Sequence, residues 1–92
     1  MFDTMSDLQS DFKSDFEMTP AQCRAARALL GKEQGEVADA ANVARATLID
    51  FEKDQRVPRA STIAAIRAAL EVAGVVFIAE NGGGAGVRLR KQ

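Results

Sequence analysis

The residues best suited to chemistry lie close together: Arg45, Ala46, Thr47 and Asp50 fall within the stretch Gln34 to Lys53, QGEVADAANVARATLIDFEK. Their types suit base edges. An arginine fork donates two hydrogen bonds to guanine, an aspartate accepts from cytosine, and methyl groups touch thymine. At helical spacing Val43, Leu48 and Phe51 fall on one side of a helix, while Arg45, Ala46, Ile49, Asp50 and Lys53 fall on the other. The first side packs inward. The second, with Ala44 at its leading end, interleaves small apolar residues with one long cation and one acid, a mixture unlike an ordinary solvated face. Arg45, Ala46, Thr47, Asp50 and Ala44 are therefore the candidates for reading bases. Asn42, between Ala41 and Val43, marks a tight turn, because asparagine tolerates a left-handed backbone better than other non-glycine residues.

Other chemistries find little support. Histidine is absent and Cys23 is the only cysteine, which removes an intrachain disulfide and most zinc or general-base arrangements. No paired carboxylates or activated nucleophile can be assembled, so no catalytic residue, metal ligand or cofactor is expected. The glycine-rich run ENGGGAG (80–86) lacks a following Gly-Lys-Ser/Thr and a following helix, so it is not a nucleotide cradle. Cys23 is expected to pack in the core, with a redox switch as its other reading. The chain has 92 residues, enough for one domain with a modest core, and its 47% hydrophobic content excludes a disordered class. No apolar run reaches a membrane span, and the N-terminus lacks a signal-peptide pattern, so a cytoplasmic protein away from membranes is expected.

The net charge of −1 argues against a nucleic-acid partner only when the chain is taken whole. Residues 1–17 carry five acids against one base, a net of −4; the remainder carries 11 bases against 8 acids, a net of +3. The chain is a basic body with an acidic arm.

The stretch QGEVADAANVARATLIDFEKDQRVP resembles the lambda-repressor-like, Xre-type helix-turn-helix: Gln-x-x-Leu-Ala, then Gly-Val-Ser, then a recognition helix ending in Phe-Glu, then a short loop before Pro. Gln34, Ala38, Val43, Leu48, Phe51, Glu52 and Pro58 match in order and spacing, and the resemblance covers about Met18 to Ala73. Departures are Lys32 for an apolar residue, Glu33 for a Ser or Thr cap, Asn42 for Gly and Ala44 for Ser. Each lost cap costs about 1 kcal/mol. The resemblance implies phosphate contacts for Gln34, at a helix N-terminus, and for Lys53, Gln55 and Arg56 in the following loop; plain solvation is the other reading of each. It also implies an ion pair between Arg27, at the edge of the first helix's buried face, and Glu52. The alternative is an Arg27 side chain extended to solvent.

The implied fold is mainly α, a compact four-to-five-helix lambda-repressor-like domain with a C-terminal β-hairpin. Residues 1–17 form the arm, with Phe2, Met5, Leu8, Phe12 and Phe16 on one side and Asp3, Asp7, Asp11 and Asp15 on the other. Three readings stand for it: an extra packed helix, a disordered tail ahead of an initiator at Met18, or an acidic partner-binding or autoinhibitory helix. Residues 18–74 are the helix-turn-helix domain. Thr19-Pro20-Ala21-Gln22 reads as a capping box, Cys23, Ala26, Leu29 and Leu30 as the first helix's apolar face, and Gly31 as its stop. Ser61 reads as the cap of a helix carrying Ile63, Ile66, Leu70 and Ala73 inward, ended by Gly74. Residues 75–92 alternate as a hairpin. A lone hairpin is marginal, so it either packs on the body or pairs with a second copy; the latter is favoured, with Val75, Phe77, Ile78, Val87 and Leu89 at a dimer interface.

Together these expectations describe a transcriptional regulator, an (auto)repressor that binds double-stranded DNA as a homodimer and reads a palindromic operator in the major groove with the helix near residues 44–53. The alternative, from another class, is an antitoxin or antiactivator module that keeps the fold and binds a protein.

Overall fold

The computed structural model describes residues 18–91; the acidic segment 1–17, with the three readings made for it, lies outside the described residues, as does Gln92. Four helices precede one hairpin: α1 Pro20–Leu30, α2 Gln34–Ala41, α3 Arg45–Glu52, α4 Ala60–Ala73, then β1 Val75–Ile78 and β2 Gly86–Leu89.

Local chemistry sets the helix ends. Thr19 caps α1 with its side chain on the Gln22 amide, Gln22 returns a bond to the Thr19 amide, and Pro20 takes the first helical position. The first three helices each close in a Schellman turn whose left-handed residue is Gly31 (φ 67°), Asn42 (φ 58°) or Asp54 (φ 61°). In the last, the Gln55 amide bonds the Asp50 carbonyl and the Asp54 amide bonds the Phe51 carbonyl, both at 3.0 Å. At α2 the expected loss of a cap at Glu33 is partly offset, because Glu36 accepts the Glu33 amide at 2.8 Å. At α3 nothing offsets it, because the Ala44 methyl carries no hydrogen-bond acceptor. One boundary differs from expectation, since α4 begins at Ala60 with Arg59 as its cap residue, leaving Ser61 inside the first turn.

The core gathers Met18, Cys23, Ala26, Val37, Ala38, Ala41, Leu48, Phe51, Ile63, Ile66, Leu70 and Val75. Small residues on α2 let it lie close against α3 and α4. Helix α1 buries Cys23 and Ala26 and rests Leu30 on the core as its spacing suggested, but it also turns polar residues inward. Gln22, Cys23 and Arg27 turn toward the body, whereas Ala21, Ala25, Ala28 and Leu29 face solvent, so Leu29 is not part of the core as its spacing suggested. Ala73 likewise ends up exposed.

The hairpin is antiparallel with Val75 opposite Leu89, Val76 opposite Arg88, Phe77 opposite Val87 and Ile78 opposite Gly86, so Gly86 opens the second strand rather than closing the loop. It packs on the helical body of its own chain. The buried Gln22 amide nitrogen donates to the Ile78 and Gly86 carbonyls at 3.3 and 3.0 Å, and Phe77 and Val87 rest on the core. Val75 is wholly enclosed, which corrects its assignment to a dimer interface: a side chain with no accessible surface has nothing to offer a second copy. Ile78 is half-buried and Leu89 is 48% exposed.

Candidate nucleic-acid interface

Glu52, the last residue of α3, is 2% exposed and collects four side-chain donors. Arg27 reaches both oxygens, Nη2 to Oε1 and Nε to Oε2, each at 2.6 Å. Gln34 Nε2 donates to Oε1 at 2.9 Å and the Cys23 thiol donates to Oε2 at 3.1 Å. The Arg24 guanidinium donates to the Glu52 backbone carbonyl. A buried carboxylate is tolerated only when paired and fully hydrogen-bonded, and this one meets both conditions. Burial pushes the Glu52 carboxyl up, but the bonds from Arg27, Cys23 and Gln34 outweigh it and hold the group below its usual range. The Glu52 bond raises the Arg27 guanidinium further, and burial together with the Glu52 carboxylate pushes the Cys23 thiol far up. The cluster ties α1, the first residue of α2 and the last residue of α3 into one unit, and so sets the angle at which α3 leaves the body.

Helix α3 presents its outer side as follows. Ala44, Arg45 and Ala46 are exposed, Thr47, Ile49 and Asp50 half-buried, and Leu48 and Phe51 face the core beside the half-buried Val43. Beyond it, Lys53, Gln55 and Arg56 are exposed, and their side chains make no hydrogen bond or ion pair among the described residues. Gln34 is placed differently from a free phosphate donor: half-buried, with one amide N–H directed at Glu52. An amide carries two such hydrogens, which leaves one to donate.

A family model described as helix-turn-helix matches residues 24–77, more than half of the chain. The chain belongs to the Xre-type helix-turn-helix family. It matches no curated protein. The matched region of this helix-turn-helix protein runs from Arg24 on α1 through both helices of the motif to Phe77 in β1, so the first strand lies within the family's domain. As a member it is a DNA-binding regulator of the helix-turn-helix type. No described helix is long and apolar enough to cross a membrane.

Several contacts were not read from the sequence. The bond from Cys23 to Glu52 had a signal, because Cys23 and Arg27 stand four residues apart on one face and must reach the same partner. The reach of Arg24 to the end of α3 and of Gln22 to the hairpin had none, since both cross more than twenty residues of chain.

Proposed function

We propose that this protein is a sequence-specific transcriptional regulator that binds a palindromic operator as a two-fold dimer, with α3 in the major groove, and represses the promoter it occupies. The observation that carries the reading is the pairing of an exposed Arg45-Ala46 surface on α3 with the exposed Lys53-Gln55-Arg56 loop at its end, both held to the body by Glu52. In this arrangement Arg45, Ala46, Thr47, Asp50 and Ala44 meet base edges, and Gln34, Lys53, Gln55 and Arg56 meet the flanking phosphates. Two subunits would set their α3 helices about 34 Å apart, one turn of duplex. Phe77, Ile78, Val87 and Leu89 are the hairpin residues left for a subunit contact. The experiment is binding to the promoter of its own gene and to random duplex over a salt series, with stoichiometry read alongside. Salt-dependent binding at two subunits per site with a preference of about 10³ or more supports the reading.

A second reading, a protein-interaction module, is favoured by the apolar outer side of α1, where Ala21, Ala25, Ala28 and Leu29 meet solvent. It predicts weak binding without preference in the same experiment and a stable complex with a protein partner.

A further inference from the structure

Gly35, the second residue of α2, stands in the first turn of a helix, and glycine is among the poorer helix formers. Its neighbour in space is Arg45. A Cβ placed on Gly35 would lie 3.7 Å from Nη1 and 3.8 Å from both Cζ and Nε of that side chain. Three guanidinium atoms at nearly one distance mean that the point lies above the plane of the group; an approach along its edge would set Cζ farther off than the nitrogens. The guanidinium therefore lies flat over Gly35. Its N–H edges stay open: Arg45 is exposed and makes no hydrogen bond or ion pair among the described residues. A fork held by stacking alone, with its donors unspent, is oriented before any partner arrives.

We propose that position 35 determines specificity: with no side chain reaching beyond a Cβ there, the Arg45 guanidinium lies flat on α2 and so aims its donor edge at one base pair. The inference rests on the DNA-reading role of α3. A methyl group at position 35 makes ordinary contact at these distances and leaves the fork in place. A longer side chain occupies the space of the guanidinium and turns it away. Because leucine is a better helix former than glycine, Gly35→Leu should keep the helix intact.

The test compares the wild-type protein, Gly35→Ala, Gly35→Leu, Arg45→Ala and the Gly35→Leu/Arg45→Ala double variant, on a duplex selected by the wild type from random DNA and on its single-base-pair variants. Gly35→Leu is expected to lose roughly ten- to a hundred-fold in affinity and to lose discrimination at the base pair that Arg45→Ala also relaxes. Adding it to Arg45→Ala is expected to change nothing further, and Gly35→Ala to keep the preference. Equal losses from Gly35→Leu in both backgrounds would overturn the proposal. In the free protein, the Arg45 Nε–H resonance is expected to move on Gly35→Leu and to stay on Gly35→Ala; an unmoved resonance in both overturns the packing itself. A wild type without any preferred duplex, but with the resonance shift present, overturns the DNA-reading role and the specificity role with it while leaving the packing intact.

Discussion

Arg27 and Glu52, 25 residues apart in sequence, close a two-point ion pair at 2.6 Å on each arm, and the carboxylate they share with Cys23 and Gln34 is almost fully enclosed. The folded-state pKa of Glu52 lies below its unfolded value. The stability it contributes is therefore fully present above the ordinary carboxylate pKa of about 4.3 and lost as pH falls through the lowered value. Unfolding by urea across an acid series should show that loss, and Glu52→Gln should remove this part of the pH dependence. Removing one partner of a buried pair costs about 3–5 kcal/mol, so Arg27→Met should be severe at neutral pH. A stability indifferent to Arg27→Met would remove the pair from any role in docking α3.

The same cluster decides the behaviour of Cys23. The thiol is buried without accessible surface and spends its proton on Glu52, and both burial and the neighbouring carboxylate oppose thiolate formation. Since the thiolate is the reactive form, alkylation of the native protein should be slow and should follow opening of the fold. The rate measured with iodoacetamide is expected to rise steeply with sub-denaturing urea. Rapid alkylation without denaturant would contradict the buried, protonated thiol and revive the redox reading.

Such contacts show where sequence reading reached and where it stopped. Helix limits were legible because they depend on neighbours: Thr19 and Gln22 three apart, Gly31 and Asn42 in left-handed turns. The family and its fold were legible because Gln34, Ala38, Val43, Leu48, Phe51 and Glu52 are spaced by the packing of two short helices. The apolar face of α1 was legible in Cys23, Ala26 and Leu30 but not at Leu29. Spacing assigned Leu29 to the core, but the Gln22 bonds to the hairpin and the Arg27 bonds to Glu52 bring those two polar side chains inward beside Cys23 and Ala26 and leave Leu29 at the surface. Nor does periodicity tell which body a hairpin packs against, and enclosure of Val75 within its own chain is a tertiary result. Ser61 does not cap α4 because the non-helical residue that opens the helix is Arg59 (φ −59°, ψ 152°), two positions earlier.

Asp54 offers a test of backbone strain. It adopts φ 61° at the end of α3, a conformation that costs most side chains about 1–2 kcal/mol, aspartate less than that and glycine almost nothing. Glycine also loses more freedom on folding, by about 0.4–1 kcal/mol, so the net gain from Asp54→Gly should be small, at most about 0.5 kcal/mol in a denaturant titration. The exposed carboxylate sits between Lys53 and Gln55, within the loop assigned to phosphates. Its loss should therefore also tighten binding to random duplex at low salt. A destabilised variant would mean that the Asp54 carboxylate, rather than its backbone, holds the turn.

The division of labour between Arg45 and Lys53 is the sharpest prediction about the interface. Both are exposed cations, but Arg45 opens α3 beside Ala46 while Lys53 follows its last residue. A base-reading arginine contributes about 1–3 kcal/mol of discrimination, and a phosphate-binding lysine releases about one counterion whatever the sequence. Arg45→Ala should therefore weaken binding to the preferred duplex by that amount and relax the choice at one base pair, with little change on random DNA. Lys53→Ala should weaken both alike and lower the slope of log affinity against log salt by about 1. Equal loss from Arg45→Ala on preferred and random duplex would reduce Arg45 to a phosphate contact and shift the reading of sequence to Ala46, Thr47 and Asp50.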